Sequence, residues 1–526
     1  MDNQDPKLKV IENEPEPETE NETQDSKKSA EYYFKQVAKV TGWSYDQARE
    51  EMKTVKKQLG IPYGYYYRNN YFEYSRSKQE RKANRYHRKQ KEKKEMLARI
   101  ISETGLKKND IKTFIKTLNE YEIYKVNLEK ISIYGMYKMG IDKIIPLLES
   151  LKLEKELSEP LKKDLLSVDS GVLSYVDLSE KLEKYMECIR ATITPFFSER
   201  LKDRLEYNIP GFLEQNADRI DKIIEDIVMS QMLLGFRFSE YVMLHLYEYD
   251  LAGKREFLSD SDKDRIVNSI NTQEFYDCVG NKYSLYLVLK DAFARDFTPI
   301  MDEEDFPAFM EFIDRHSEFV LKPFNDSMGR GVKLISVTPG SNLEELFASL
   351  LEENLTFLME ERIIQDERMA VFNRDSINTI RLMVYYNGEQ AIPANSFMRT
   401  GRAGSFVDNG GAGGLFANVD LATGVINTVG GNETGALFEE HPDSHIRYIG
   451  FQIPQWDEAL KLGCESCKVF GEPCFIGWDL ALNDKGKWVI VEGNGSPQFL
   501  NQVPLCHGLK QYMKDFIENN GISLNE

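Results

Sequence analysis

The chain has 526 residues, enough for roughly two to four domains, and a formal net charge of -19, which argues against a general affinity for nucleic acid. It contains no apolar run of about 18 residues, so the sequence predicts no transmembrane helix. The N-terminus lacks the basic start and apolar core of a signal peptide, and six cysteines do not form a disulfide framework in so long a chain. We therefore expect a cytoplasmic protein.

The first half of the chain is predicted to be all-α. Residues 1–29 alternate glutamate with Pro, Asn and Thr, a composition that cannot bury a core and that predicts a disordered acidic tail. Helical patterns fill residues 30–254, and Ser44 and Gln47 form the capping box of a helix that should end at Leu59. A helix, a turn and an aromatic helix recur weakly in this region. Because it holds no catalytic constellation, we interpret it as a scaffold or a partner-binding region.

Residues 68–99 form a markedly basic segment that follows a tyrosine-rich stretch. Such a segment is consistent with contact to a protein partner, an anionic membrane surface, an acidic polymer or RNA. The alternative, which we prefer, is a solvated helix that interacts with the acidic tail or bridges modules, because Lys and Arg are common on long helices. The acidic charge of the whole chain argues against nucleic acid as the partner.

Strands and helices alternate after about residue 255. Lys322 stands in an apolar strand and is followed by a glycine-rich stretch, residues 325–331. Glycines let a backbone approach phosphates and a lysine supplies a point charge, but this loop joins two strands, which argues against a P-loop or a Rossmann site. Arg381 also lies inside an apolar strand, as either a structural ion-pair partner or an anion-binding residue.

Two polar loops follow, at residues 398–415 and 441–447. The first contains six glycines among arginine, aspartate and asparagine residues. Long loops inside compact domains are usually functional or disordered, so both loops are candidate substrate-binding segments.

The strongest signal for a site is a predicted hairpin at residues 475–495. Asp479 lies on its first strand, and Glu492 and Asn494, which are two residues apart, lie on one face of the second. Carboxylates buried close together need a compensating cation, and carboxylate and amide oxygens suit Mg²⁺. The alternative is an exposed hairpin face with solvated acids.

In their order along residues 255–520, these features resemble the ATP-grasp superfamily, and within it the sugar-transfer-associated ATP-grasp group. The resemblance implies an α+β chain: an ATP-grasp fold, in which two β-rich lobes enclose ATP, at residues 255–526, preceded by the all-α region. Many ATP-grasp ligases begin instead with an α/β substrate domain, so the substrate cannot be assigned by analogy.

The resemblance also implies roles for individual residues. The nucleotide would contact the lysines Lys282 and Lys322, the lid residues Ser327, Gly329 and Gly331, the hinge residues Glu360, Glu361 and Ile363, and, at the ribose, Asp366 or Glu367. One or two Mg²⁺ ions would be held by Asp479, Glu492 and Asn494. The catalytic residues would be Arg381 and Lys322, and the substrate-binding residues would be Arg399, Arg402, Asp408, Asn409, His441 and Arg447.

The activity that the resemblance implies is an ATP-dependent carboxylate–amine ligase. It would form an amide through an acyl phosphate and release ADP and phosphate. Its small-molecule or glycan substrates would include a sugar acid or an amino acid, and the family name associates it with surface polysaccharide synthesis. Two alternatives stay open: an ATP-grasp phosphotransferase, and a nucleotide-binding scaffold that recruits partners through its helical half.

Overall fold

A computed structural model of the chain describes residues 30–41, 43–59, 61–63, 66, 76–104, 141–193, 195–324, 331–353, 356–405, 408 and 413–524. These residues form two compact units, one within residues 30–200 and the other within residues 201–524. The predicted acidic tail lies outside the described residues, as do the central copy of the helical repeat and most of the tyrosine-rich stretch. The domain boundary near residue 255 stays a prediction.

The first unit is helical, as expected. Its helices are α1 (Ala30–Thr41), α2 (Tyr45–Leu59), α3 (Arg76–Thr104), α4 (Ile141–Asp169) and α5 (Ser179–Thr192). The capping box at the start of α2 is confirmed, because the Ser44 amide donates to Gln47 Oε1 at 2.8 Å and the Gln47 amide donates to Ser44 Oγ at 3.2 Å. The basic segment lies largely on α3. In the described part of the chain, no helix combines the length and the apolar character needed to cross a membrane.

A run of helices, of which the first crosses the boundary at residue 200, leads to the sheets of the second unit. They are α6 (Pro195–Asn208), α7 (Phe212–Gln215), α8 (Ile220–Leu234), α9 (Phe238–Met243), α10 (Leu251–Lys254), α11 (Asp260–Ile270), α12 (Gln273–Val279), α13 (Lys282–Val288) and α14 (Lys290–Phe293). In α8, Ile223, Ile224 and Ile227 are buried on one face. Gly235 ends α8 with φ of 78°, a left-handed conformation that glycine adopts at little cost.

A small antiparallel sheet has the strand order β1 (Phe297–Ile300), β4 (Phe357–Glu361), β2 (Glu318–Pro323) and β3 (Lys333–Ser336). Two helices, α15 (Phe306–Arg315) and α16 (Leu343–Glu353), join its strands and share one hydrophobic core with Phe319 and Leu321 of β2. Since side chains alternate along a strand, Lys322 points away from this core.

A larger antiparallel sheet has seven strands in the order β11 (Trp488–Asn494), β10 (Cys474–Leu482), β5 (Thr379–Tyr386), β6 (Ala391–Thr400), β7 (Leu415–Asn418), β8 (Gly430–Gly431) and β9 (Leu437–Phe438). The remaining helices are α17 (Glu367–Ala370), α18 (Trp456–Cys467), α19 (Gln502–Leu505) and α20 (Lys510–Asn519). The predicted hairpin is confirmed, because β10 pairs with β11. Together, the helical first region and the two antiparallel sheets match the expected α+β fold.

Helix α18 packs against the central strands of the larger sheet. Ile380 and Leu382 of β5 and Trp478 and Leu480 of β10 share a buried core with this helix. Gly463 of α18 lies so close to the sheet that a Cβ atom there would be 2.6 Å from Leu382 Cδ2 and 3.4 Å from Trp478 Cδ1. The absence of a side chain at this position therefore sets how closely the helix approaches the sheet.

We predict that Gly463→Val lowers the free energy of unfolding by about 1–3 kcal/mol, because the added atoms overpack a core that is already closed. Chemical denaturation of the whole chain measures the change. Lys461→Val, at an exposed position on the same helix, is the control for placing a valine in α18. Because valine has a higher helix propensity than glycine, a Gly463→Val variant at least as stable as the wild type would show that Leu382 and Trp478 move aside at little cost.

Candidate active site

The register of the larger sheet places the charged residues of three strands on one face. Asp479 of β10 lies opposite Glu492 of β11 on one side and opposite Arg381 of β5 on the other. Directly paired residues of an antiparallel sheet point to the same face. Asn494 follows two residues after Glu492, so all four side chains share the face away from α18.

A β-bulge puts Glu492 on that face. Leu480 pairs with Ile490 and Asp479 pairs with Glu492, so Val491 is an extra residue in β11. Ile490 points into the core beneath α18. Simple alternation from Ile490 would turn Glu492 into the same core, and the extra residue turns it to the opposite face, beside Asp479.

Asp479 is held by two arginines. Arg381 Nε and Nη2 donate to Asp479 Oδ1 and Oδ2 at 2.5 and 3.0 Å, and Arg399 Nη1 donates to Oδ2 at 3.1 Å. Asp479 is only 5% exposed and each arginine 8%. Burial is the largest influence on the pKa of Asp479 and would raise it, but the charges of Arg381 and Arg399 hold that pKa below its usual value. The carboxylate is thus kept ionised within the sheet.

Glu492 has the opposite electrostatic situation. Its pKa is raised, first by burial and then by the charge of Asp479, while Lys282, Lys322 and Arg381 oppose the rise. A carboxylate in this position gains from a cation placed between it and Asp479. Asn494 Nδ2 lies 3.5 Å from Asp479 Oδ2, so its amide belongs to the same cluster. Two carboxylates and an amide are the donor chemistry of a Mg²⁺ site, so these residues fit the ion that the sequence analysis expects.

Lys322 and Glu360 form an ion pair on the face of the small sheet that points away from its helices. Lys322 Nζ donates to Glu360 Oε2 at 2.7 Å, and Arg295 Nη2 donates to the same oxygen at 2.7 Å. Burial, the largest influence, lowers the pKa of Lys322, although Glu360 opposes it. Burial would raise the pKa of Glu360, but Arg295 and Lys322 hold it below its usual value.

One cavity brings the predicted phosphate-binding and metal-binding residues together. It is lined by, among others, Lys282, Lys322, Glu360, Glu492 and Asn494. The N-cap residue Asn281, whose Oδ1 accepts the Ser284 amide at 3.0 Å, starts α13. The backbone amide of Lys282 donates to Phe324 O at 3.3 Å, two residues after Lys322. The two lysines therefore lie at adjacent points on the wall of the cavity.

Of the residues predicted to bind the base and the ribose, Glu360 lines this first cavity, whereas the others lie elsewhere. Ile363 and Glu367 line a second cavity. Glu361 Oε2 accepts the Asp296 amide at 3.0 Å. Asp366 accepts hydrogen bonds from Arg368 Nε and Nη2, both at 2.8 Å. Glu367 forms an ion pair with Arg374, with 2.5 Å between the nitrogen and the oxygen. Both acids that were candidates for the ribose thus have arginine partners in this structure, and their roles stay predictions.

The substrate-binding candidates divide into two groups. Arg399 belongs to the buried cluster, because it bonds Asp479 and its Nη2 donates to Asp408 Oδ1 at 3.1 Å. Thr379 Oγ1 also donates to Asp408. Arg402 instead forms a surface pair with Asp443, at 2.7 and 2.9 Å.

His441 is completely buried, and its Nε2 lies 2.9 Å from the carbonyl oxygen of Gly401. Its Nδ1 accepts the amides of Asp443 and Ser444 at 3.3 and 3.4 Å. Burial lowers the pKa of His441, and these contacts join the two polar loops. Arg447 is exposed and faces Glu440 in an isolated bridge. Of the remaining candidates, Gly331 has φ of 70°, and Ser327, Gly329 and Asn409 lie outside the described residues.

Arg295 also belongs to this site, although no sequence pattern predicted it. Its guanidinium joins Glu360 to the backbone of β11, where Nη1 donates to Ile490 O at 2.6 Å. Ala294, just before it, has φ of 48°, a conformation that costs energy for a residue with a side chain. The available signal was an arginine beside an aspartate between two phenylalanines, Phe293 and Phe297, but the partners of the arginine lie far away in the sequence.

Three solved structures have low similarity to the chain. An N5-carboxyaminoimidazole synthase from Aspergillus clavatus, solved with ADP and 5-aminoimidazole ribonucleotide, has 7% identity, covers 47% of this chain and 52% of its own, and has a TM-score of 0.29. A D-alanine-D-alanine ligase from Coxiella burnetii has 12% identity, covers 48% of this chain and 64% of its own, and has a TM-score of 0.27. An N5-carboxyaminoimidazole ribonucleotide synthetase from Thermotoga maritima has 11% identity, covers 53% of this chain and 59% of its own, and has a TM-score of 0.30. The chain thus spans about half the length of the first of these proteins.

No curated protein matches the sequence of the chain. The model of one protein family, described as sugar-transfer associated ATP-grasp, matches residues 261–518. This segment contains both sheets, the cavity with the two lysines, and the cluster around Asp479. The match confirms the resemblance that the motifs indicate for about residues 255–520. Residues 261–518 of this chain, slightly less than half of its length, thus match the sugar-transfer associated ATP-grasp family.

Proposed function

We propose that the chain is an ATP-dependent ligase that joins a carboxylate to an amine. One observation carries the proposal: two lysines, two carboxylates and an amide line a single cavity or adjoin it, within the segment that matches an ATP-grasp family. Lys282 and Lys322 are suited to the phosphates of ATP, and Asp479, Glu492 and Asn494 are suited to Mg²⁺.

The residues act by position and charge. Asp479, Glu492 and Asn494 would hold one or two Mg²⁺ ions, which when bound neutralise charge on the β- and γ-phosphates. Lys322 would exchange its contact with Glu360 for one with a phosphate oxygen. Arg381 would stabilise the charge on the phosphoryl group while the substrate carboxylate attacks it. This attack produces an acyl phosphate and ADP, and the amine then displaces phosphate to form the amide.

Arg399 is the substrate-binding candidate that the geometry favours most. It lies in the same cluster as Arg381 and Asp479, whereas Arg402 is paired at the surface. A sugar acid or an amino acid would supply the carboxylate, and the words "sugar-transfer associated" in the family description are the basis for proposing a role in polysaccharide synthesis. A stable phosphorylated product without an amide would instead identify a phosphotransferase. Nucleotide binding without turnover would favour a scaffold, with the basic α3 as a contact surface for a partner.

A first prediction concerns ligand-induced stability. A non-hydrolysable ATP analogue at about 100 times its dissociation constant should add about 2.7 kcal/mol to the free energy of unfolding. The effect should be larger with Mg²⁺ than without it, and Asp479→Asn should lose this Mg²⁺-dependent part because one metal carboxylate is gone. Thermal shift assays measure this for each protein relative to its own ligand-free melting temperature. No shift in either protein would count against the nucleotide site.

A second prediction concerns turnover. Glu492→Gln should lower the rate of ADP release on the order of 100-fold or more, because the substitution keeps the shape but removes charge from the metal cluster. The assay follows ADP release with Mg²⁺, ATP and a pool of amino acids and uronic acids. Glu518→Gln, at an exposed position on α20, is the matched control and should retain wild-type activity. A fully active Glu492→Gln enzyme would contradict the assignment of Glu492 as a Mg²⁺ ligand.

A third prediction separates two arginines. Arg399→Lys should lower kcat at least about 10-fold, because the single ammonium nitrogen of lysine cannot take the positions of the two guanidinium nitrogens that contact Asp479 and Asp408. Arg402→Lys should stay within about 2-fold of wild type, since it alters only a surface ion pair. The same ADP-release assay compares them. Equal losses in both variants would mean that the loop around Arg402 also contacts substrate.

A further inference from the structure

The Arg295 guanidinium connects the two sheets of the site. Its Nε and Nη2 donate to Glu360 Oε2, at 3.0 and 2.7 Å, on the small sheet. Its Nη1 donates to Ile490 O at 2.6 Å and its Nη2 approaches Val491 O at 3.3 Å, both on β11 of the larger sheet. The side chain is only 4% exposed. One buried cation therefore bonds the lobe that carries Lys322 and the strand that carries Glu492.

The contacts to β11 fall at the bulge that orients Glu492. Val491 is the extra residue of that bulge, and Ile490 precedes it. Since β11 is the edge strand of its sheet, one side of its backbone has no neighbouring strand there. Arg295 supplies N–H donors on this side. It thereby stabilises the irregular backbone that turns Glu492 toward Asp479.

The contacts to Glu360 act on Lys322. Arg295 and Lys322 donate to the same oxygen of Glu360, so the guanidinium limits where that carboxylate can be. Glu360 in turn determines where the lysine ammonium rests before it meets a phosphate. A continuous chain of bonds thus runs from Lys322 through Glu360 and Arg295 to the residue that precedes Glu492.

Local structure holds Arg295 rigidly. Ala294 adopts its left-handed conformation just before it, and strain of this kind persists only where the surroundings enforce it. The guanidinium carbon lies 4.9 Å from the centre of the Phe293 ring and 5.4 Å from that of Tyr286. Nη1 also donates to Phe293 O at 3.3 Å. These contacts leave the side chain little freedom to follow one sheet without the other.

We propose that Arg295 is a positioning residue that couples metal binding to nucleotide binding. By bonding both sheets, it sets the separation between the phosphate lysine and the metal carboxylate, so a nucleotide–metal complex fits both at once. This inference rests on the proposed function. Loss of the Arg295 guanidinium should reduce the factor by which Mg²⁺ and the nucleotide raise each other's affinity. It should change the affinity for the nucleotide alone much less.

The test measures the dissociation constant of the ATP analogue AMP-PNP by calorimetry, with and without Mg²⁺. The coupling is the ratio of the dissociation constant without Mg²⁺ to the dissociation constant with Mg²⁺. Arg295→Met should lower this ratio about 10-fold and change the Mg²⁺-free constant by about 3-fold or less. Arg295→Lys should give an intermediate ratio, because an ammonium keeps the charge near Glu360 without spanning to both carbonyls. Circular dichroism establishes that each variant is folded, and Arg295→Lys carries the test if Arg295→Met is not.

Arg315→Met is the matched control. Arg315 is also an arginine of the small lobe, but it pairs with Asp296 and Glu311 at the surface, so its loss should leave the ratio unchanged. An unchanged ratio in a folded Arg295 variant would overturn the inference and leave the proposed function intact. Equal weakening of AMP-PNP binding with and without Mg²⁺ would overturn it as well, because such weakening indicates general damage to the site. Failure of the wild-type protein to bind AMP-PNP would overturn the proposed function and this inference together.

Discussion

An ionised carboxylate inside a β-sheet is the constraint on which the site depends. Asp479 is almost fully buried, and it stays charged because Arg381 and Arg399 bond it directly. A buried charge without such partners would cost several kcal/mol. The arginines come from β5 and β6, so the order of the strands, with β5 next to β10, is what makes the carboxylate tolerable. The strand order that builds the sheet therefore also determines the electrostatics of the site.

The two sheets divide the chemistry between them. The larger sheet carries the acidic cluster on the face away from α18, and the small sheet carries Lys322 on the face away from its own helices. Each sheet thus devotes one face to a hydrophobic core and the other to charge, which is how antiparallel sheets usually distribute their side chains. The charged faces supply the walls of one cavity, where cations and carboxylates can act on the same ligand.

Local signals in the sequence predicted much of this arrangement. Period-two alternation and the turn residues gave the hairpin, and the two-residue spacing gave the common face of Glu492 and Asn494. Contacts between distant strands were beyond such reasoning. The bulge at Val491 depends on pairing with β10, and Arg295 meets Ile490 across 195 positions of sequence. The burial of His441 likewise follows from packing that no local pattern encodes.

The bulge in β11 also bears on how this strand can vary among related proteins. A strand that lacked Val491 would pair regularly and still place Glu492 opposite Asp479, because the carboxylate would then follow the core-facing Ile490 by one position. Strict alternation over the full length, without the bulge, would instead turn the carboxylate into the core. Insertions in the turn at residues 483–486 leave the strand pairing intact. Relatives that retain the site should therefore either keep the bulge or be one residue shorter at this point of the strand, whereas the length of the turn can vary freely.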